Sequence, residues 1–210
     1  MPFLPRDPFQ RACFAAFLVF FAASCIAPPF VNFLLMQHVP TILAMVLLVY
    51  VSNRLILGRL SYLLVITFLA LHTLGARYLY SYTPYDEWAR ALTGHTISAA
   101  LGLTRNHYDR VVHFSFGLLM AVPIQELERR YLKLSLTMSS LLAIEFVIAM
   151  SATYEMIEWL VAVVFTPEWA DSFLGQQGDH FDGQKDMALA TAGAMISIAV
   201  AAVMGRRRSP

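Results

Sequence analysis

The sequence predicts an all-α membrane protein, a polytopic bundle of about six transmembrane helices. Of its 210 residues, 58% are hydrophobic and only 14% are charged, whereas a soluble domain is about 25% charged. The mean hydropathy is +0.60, and apolar runs recur along the whole chain. A soluble globule of this size cannot hide so much apolar surface, but a lipid bilayer accommodates it.

A membrane-spanning helix needs about 20 predominantly apolar residues, and six segments approach that length. Pro28 and Pro29 end the first segment, because proline cannot continue a helix. We interpret this segment as an uncleaved helix, since Ser24-Cys25-Ile26-Ala27 makes a poor signal-peptide cleavage site. The fifth segment is long enough to tilt, kink or extend past the bilayer. The six segments are residues 12–27, 38–52, 60–80, 108–126, 134–165 and 186–204.

The segments between the six apolar runs are not predicted to form a separate domain. The connection between the third and fourth helices contains Asp86–Leu92, which is typical of a short amphipathic helix at the membrane surface. No linker divides the chain, so residues 1–210 are predicted to form a single integral membrane domain. Cys13 and Cys25 both lie in the first apolar run and are interpreted as buried thiols, not as a disulfide framework.

The distribution of Lys and Arg predicts the orientation, because these residues favour the cytoplasmic side. With a cytoplasmic N-terminus and six spans, ten basic residues lie inside and five outside. We therefore expect a multi-pass protein of the bacterial inner membrane with both termini cytoplasmic. The inside set is Arg6, Arg11, Arg54, Arg59, Arg129, Arg130, Lys133, Arg206, Arg207 and Arg208; the outside set is Arg77, Arg90, Arg105, Arg110 and Lys185.

Ionisable residues inside membrane helices are costly to insert, so each indicates function. Asp109 and His113 open the fourth helix and share one face, where they suit a divalent metal or a polar substrate group. The alternative is a helix cap and a core histidine. Glu155 and Glu158 share a face of the fifth helix and need a cation, an arginine or a shared proton. Their alternative is one ion pair and one solvated carboxylate.

Two further groups of ionisable residues are candidates for function. The polar segment 178–187 leads into the sixth helix, where Asp182 and Asp186 share a face if that helix begins by Asp182. His72 and Arg77 lie toward the end of the third helix, where a core histidine and an arginine extending to the membrane surface are the plain alternative. In contrast, Gln125–Arg130 reads as a solvated cytoplasmic turn.

The predicted topology puts these residues at a similar depth in the membrane. Helices three and five run outward, and four and six run inward, so their acidic and histidine residues meet at the outer face. We predict a polar cavity there that binds a divalent metal, Zn, Mn or Mg, since carboxylates and imidazole suit these ions. The predicted metal ligands are Asp109, His113, Asp182 and Asp186; the catalytic residues are Glu155 and Glu158; and the substrate-binding residues are His72, Arg77, Arg110 and Asp179.

At the same segments the sequence resembles the YjdF-like family of bacterial inner-membrane proteins. This resemblance implies no particular reaction. The resemblance covers nearly the whole chain. A weaker similarity, to VanZ-like membrane proteins associated with glycopeptide resistance, rests on an Asp-x-x-x-His helix start and implies no activity here. The residues that carry the first resemblance are His72–Tyr78, Tyr108–Arg110, His113, Phe114, Gly117, Tyr154, Glu155, Glu158, Trp159, Gly178, Asp179, Asp182, Gln184, Asp186 and Met187.

Three functions fit these observations. The first is a metal-dependent hydrolase or transferase acting on a membrane lipid or a lipid-linked substrate. The second is a small-molecule or proton-coupled transporter, favoured by a cavity that passes the membrane midplane toward Glu126 and Glu145. The third is a non-catalytic membrane subunit, in which arginines would pair every carboxylate. The net charge of +1 gives no reason to expect nucleic-acid binding.

Overall fold

The computed structural model describes residues 4–55, 57–164 and 175–206, and all regular structure in these ranges is helical. The predicted helical-bundle fold is confirmed, including a short helix between the third and fourth long ones. The helices are α1 (Pro8–Ser24), α2 (Val31–Arg54), α3 (Arg59–Arg77), α4 (Tyr85–Thr93), α5 (Ile97–Leu101), α6 (Tyr108–Tyr131), α7 (Leu136–Val164) and α8 (Asp182–Arg206). The predicted helix end at residue 165 and the basic residues Arg207 and Arg208 lie outside the described ranges.

Among the described residues, four helices are long and apolar enough to cross a membrane: α2, α3, α7 and residues 182–205 of α8. The helix α1 is apolar but has only 17 residues, which corresponds to about 25 Å. The helix α6 has 24 residues but carries charged residues in its first and last turns. These two helices therefore belong to the bundle but are not among the four candidate spans, whereas the sequence predicts about six membrane-spanning helices.

Three helices begin at least four residues earlier than predicted, the first being α1, which begins at Pro8 and not at residue 12. The helix α2 starts at Val31 and not at residue 38, because the polar His38 is buried inside it, with Nε2 3.1 Å from Ser24 Oγ. The helix α8 starts at Asp182, four residues before the predicted start. A carboxylate is favourable in the first turn of a helix, where the helix dipole is positive. This earlier start places Asp182 and Asp186 on successive turns.

The helix α6 is central and packs against α3, α7 and α8. Its contact with α8 is a close backbone crossing at Gly117, where a Cβ atom would overlap the Ala190 carbonyl oxygen and the Ala194 nitrogen. At Gly193 a Cβ atom would similarly overlap the Phe114 carbonyl oxygen. Only glycine permits this approach, which brings the first turns of α6 and α8 together.

Contacts at the two ends of the bundle fix which helix ends lie together. At one end, Arg77 donates hydrogen bonds to the carbonyl oxygens of Ser24 (2.6 Å) and Ile26 (2.9 Å) in the turn after α1. At the other end, Glu126 accepts a hydrogen bond from Gly58 N at 2.9 Å. The first of these ends, where α3 ends and α6 and α8 begin, is called the site end below.

Candidate metal site and membrane groove

Three buried side chains converge at the site end. Asp109 and His113 occupy successive turns of α6, and Asp186 lies on the second turn of α8. One potential ligand atom from each lies within 4.8 Å of the other two. Asp109 and His113 are each 7% exposed and Asp186 is 2% exposed. This set is called the Asp109–His113–Asp186 cluster below, and it comprises three of the four predicted metal ligands.

Glu155 of α7 borders the cluster. Its Oε1 atom lies 3.5 Å from His113 Nε2, which is also 3.7 Å from Asp109 Oδ1. On the opposite side, a Cβ atom at position 183 would lie 2.5 Å from Glu155 Oε2. Gly183 therefore leaves the space that the Glu155 carboxylate occupies. The other predicted catalytic residue, Glu158, is 9% exposed and lies one turn further along α7.

In the described part of the chain, the carboxylates in and near the cluster have His113 beside them but no lysine or arginine partner. Among the described residues, no Lys or Arg forms an ion pair with Asp109, Glu155, Glu158 or Asp186. Within the same ranges, the buried Asp186 Oδ1 has no hydrogen-bond partner. Carboxylates in a site of low polarity repel one another, and an unpaired buried charge is costly. The arrangement therefore requires protons or a bound cation.

Asp179, just before α8, and Asp182, its first residue, do have basic partners. Arg105 donates to both oxygens of Asp182, with Nη1–Oδ1 of 2.7 Å and Nη2–Oδ2 of 3.1 Å. Arg110 Nη2 donates to Asp179 Oδ2 at 2.5 Å and to Asp182 Oδ1 at 3.2 Å. Lys185 Nζ also donates to Asp179 Oδ2, at 2.6 Å. We call these five residues the clasp, since they join the start of α6 to the start of α8.

The clasp changes the expectation for Asp182. This residue was predicted as a metal ligand, but arginine nitrogens contact both of its oxygens. Asp186, one turn later on the same face, remains free of arginine contacts among the described residues. Asp182 therefore serves to position Asp186, because its ion pairs fix the first turn of α8 against the chain that leads into α6.

Breaking the clasp at Arg105 is expected to destabilise the protein. Arg105→Gln leaves the Asp182 side chain, which is only 4% exposed, with the Arg110 contact alone. Loss of a charged hydrogen-bond partner at a buried site costs about 1–3 kcal/mol. Thermal unfolding of the detergent-solubilised protein measures this change.

Arg59→Gln is the matched control, because Arg59 pairs with Asp7 through a side chain that is 66% exposed. Exposed ion pairs contribute about 0–1 kcal/mol. Equal loss of stability in the two variants would contradict the structural role assigned to Arg105.

The clasp also predicts a pH dependence. The hydrogen bond from Lys185, with further bonds from Phe181 N and Arg110, holds the pKa of the Asp179 carboxyl group well below its usual value of 3.8. A carboxyl group with a lowered pKa stabilises the fold above its unfolded-state pKa, and that contribution is lost as the pH falls. The stability difference between wild type and Asp179→Asn should therefore be constant near neutrality and shrink below about pH 4. Unfolding curves across that range test this, and a constant difference would contradict it.

The predicted substrate-binding residues separate into two groups. Arg77 binds backbone carbonyls of the turn after α1, and Arg110 and Asp179 belong to the clasp, so all three have partners within the protein. His72 instead lies deeper, with Nδ1 2.5 Å from the hydroxyl oxygen of Tyr80. The backbone at Leu79 and Tyr80 is left-handed, with φ of 51° and 52°. This rare conformation turns Tyr80 back onto α3.

An apolar groove of about 510 Å³ runs from the site end into the membrane part of the bundle. Its polar end is lined by His72, Tyr80, Asp109, His113, Tyr154 and Glu158. Away from that end the lining is almost entirely apolar and comes from α2, α3, α6 and α7, reaching Leu57 and Leu127. The sequence analysis predicted the polar cavity but not this apolar extension.

Several site features were missed because they depend on distant residues. Arg105 and Asp182 are 77 positions apart, and nothing local marks them as a pair. Gly183 was part of the polar segment but was not assigned a role, although glycine, which has no Cβ, is commonly used where another group approaches the backbone closely. Tyr154, whose ring lies 5.8 Å from that of His113, was noted only as part of a motif.

Comparisons with known proteins agree with this architecture. The family model "Predicted membrane protein (DUF2238)" matches residues 9–207. "Inner membrane protein YjdF" of Escherichia coli (strain K12) is 34% identical over 166 residues, which cover 78% of this chain and 75% of that protein. No solved structure matches the chain. The chain therefore belongs to the YjdF-like family of predicted membrane proteins, DUF2238.

Proposed function

We propose that this protein is a divalent-metal-dependent hydrolase or transferase that acts on a lipid or lipid-linked substrate at the outer face of the inner membrane. One observation carries the proposal. The Asp109–His113–Asp186 cluster, whose carboxylates pair with no Lys or Arg among the described residues, lies at the polar end of an apolar groove. A metal site and a lipid-sized groove thus share one wall of the bundle.

The donor set suits a catalytic metal. One imidazole and two carboxylates supply three ligands, and three protein ligands with an open position are typical of catalytic zinc. Manganese and magnesium also accept carboxylate oxygens. Metal–ligand bonds of about 2.0–2.2 Å place ligand atoms roughly 3–3.6 Å apart. The ligand atoms, which lie within 4.8 Å of one another, would have to approach by up to about 1.2–1.8 Å through side-chain rotation to bind one ion.

The surrounding residues fit group transfer to or from a lipid head group. A divalent ion supplies Lewis-acid polarisation of a phosphoryl or carbonyl oxygen and acidifies water. Glu155, 3.5 Å from His113 Nε2, is placed to accept a proton beside the cluster. Glu158 and His72 line the groove next to it and would contact the substrate's polar atoms.

The orientation is part of the proposal. If all six long helices of the bundle cross the membrane, the ten-to-five distribution of Lys and Arg favours cytoplasmic termini and therefore a site end at the outer face. The name of the similar E. coli protein supports an inner-membrane location. Reporter domains fused to the C-terminus test this: a reporter active only in the cytoplasm should function, and activity of a periplasm-specific reporter would contradict it.

The direct test of function is turnover of membrane lipids. The purified full-length protein, loaded separately with zinc, manganese or magnesium, is incubated with an extract of bacterial membrane lipids. Mass spectrometry should show a lipid consumed only with metal, and not by the Glu155→Gln variant. No metal-dependent change in any lipid would contradict the enzymatic proposal.

A carrier is the second proposal, and the extent of the groove favours it. The groove lining on α6 reaches from Asp109 to Leu127, past the middle of the bundle. Its inner half is apolar, which suits passage of a lipid better than passage of an ion. Movement of a labelled lipid between leaflets of reconstituted vesicles, without chemical change, would support the carrier over the enzyme.

A non-catalytic subunit is the remaining alternative. The clasp fits it, because Asp179 and Asp182 are paired as purely structural carboxylates would be. The cluster does not, since no Lys or Arg in the described ranges pairs with Asp109 or Asp186.

A further inference from the structure

We propose that the groove binds the chain of a polyprenyl phosphate, with the phosphate at the Asp109–His113–Asp186 cluster. This names the substrate class of the proposed function and rests on it. The groove is a single cavity of about 510 Å³ that connects the cluster with apolar side chains of four helices. The occupant must therefore join one polar group to one long apolar chain.

The length of the groove selects the chain. Its lining residues on α6 extend over 18 positions, from Asp109 to Leu127, which is about 27 Å of helix. On α2 the lining extends from Met36 to Val51, which is about 22 Å. An acyl chain of a phospholipid spans one leaflet, about 15 Å of the 30 Å hydrocarbon core. The groove is thus too long for one acyl chain but accommodates a segment of a longer polyprenyl chain.

The groove opens sideways to the bilayer. Leu47 on α2 and Phe146, Met150 and Ile157 on α7 line it, yet they are 43–60% exposed. Within the described residues, α2 packs against α3 and α7 packs against α6 and α8, and α2 and α7 are not a closely packed pair. A lipid chain can therefore enter between α2 and α7 without leaving the hydrocarbon phase.

The polar end of the groove selects the head group. Asp109 and His113 line both the groove and the cluster, so a head group at the end of the chain meets the metal ligands directly. Divalent cations bind phosphate oxygens readily. Without the cation, the carboxylates would repel phosphate. Binding of the phosphate end is therefore expected to depend on metal, whereas the chain contributes affinity with or without metal.

Native mass spectrometry of the purified full-length protein tests the proposal with undecaprenyl phosphate as probe. The comparison ligands are phosphatidylglycerol, which has shorter chains, and inorganic phosphate, which has no chain. We expect undecaprenyl phosphate to bind at least about tenfold more tightly than phosphatidylglycerol, and inorganic phosphate to compete weakly. Equal affinity of the two lipids would overturn the proposal.

Variants of Ala44 test where the polyprenyl chain binds. Ala44 lines the groove on α2, so Ala44→Phe and the smaller obstruction Ala44→Leu should reduce affinity for undecaprenyl phosphate, by about tenfold or more for Phe. Ala149→Phe is the matched control, because Ala149 is exposed on α7 and does not line the groove. Unchanged binding by a folded Ala44 variant would overturn the proposal. If the variants do not fold, the comparison of the two lipids on the wild type still decides it.

The result separates this inference from the proposed function. Metal-dependent lipid turnover without preference for undecaprenyl phosphate would remove the substrate class and leave the enzyme. Preferential binding of undecaprenyl phosphate to a protein that retains no metal would support the groove assignment for the chain, and would overturn the metal-bound phosphate and the metal enzyme.

Discussion

Replacing Asp186 by Asn is expected to lower the affinity for a divalent cation by at least about 100-fold. Asp186 supplies one of the two carboxylates of the cluster and is almost fully buried. The substitution keeps the shape of the side chain and removes its charge. Without metal, the variant should be at least as stable as the wild type, because it relieves repulsion with Asp109 and Glu155. Calorimetric titration with zinc or manganese measures the affinity, and thermal unfolding measures the stability.

Asp7→Asn is the matched control for this prediction. Asp7 lies at the opposite end of the bundle, where it pairs with Arg59 at 2.9 Å, and its substitution should leave metal affinity unchanged. A structural role for Asp186 predicts the reverse pattern, in which Asp186→Asn destabilises the metal-free protein and metal stabilises neither form. That pattern would contradict the metal site.

The Gly117→Ala substitution is expected to destabilise the bundle by about 3 kcal/mol or more. The new Cβ would overlap backbone atoms of Ala190 and Ala194, and backbone atoms cannot rotate away. The helices α6 and α8 must then separate, which moves Asp186 away from His113. Both the midpoint of thermal unfolding and the metal affinity should fall.

Gly205→Ala provides the control, because Gly205 also lies in α8 but a Cβ atom there would meet no atom within 4 Å. Alanine favours helix more than glycine, so this variant should be unchanged or more stable by about 0.5–1 kcal/mol. If Gly117→Ala matched Gly205→Ala in stability, the close crossing of α6 and α8 would be wrong.

Much of the fold was predictable because the bilayer imposes simple rules. Apolar runs indicate helices, and alternating directions place the end of α3 and the starts of α6 and α8 together. The i, i+4 spacing of Asp109 and His113 already put them on one face. The boundaries were less predictable, since polar residues such as His38 and Asp186 look like helix starts but lie inside their helices.

The features of the site that could not be predicted depend on contacts between residues far apart in the sequence. The sequence spacing gives no distinction between Asp182 and Asp186; the positions of Arg105 and Arg110 separate the clasp residue from the cluster residue. The groove could not be predicted from the sequence either, because it forms where α2 and α7 leave space over α3 and α6. Its lining residues are ordinary membrane-helix residues, so no pattern along the chain marks them.

X-ray absorption spectroscopy of the zinc-loaded full-length protein tests the proposed metal site itself, because it reports the atoms bound to the ion. We expect about one ion per chain, bound only to nitrogen and oxygen at about 2.0–2.2 Å, with the signature of an imidazole from His113. The spectrum of Asp186→Asn should lose this shell. Sulfur neighbours at about 2.3 Å, which Cys13 or Cys25 would supply, or failure to retain an ion, would contradict the Asp109–His113–Asp186 cluster as a metal site.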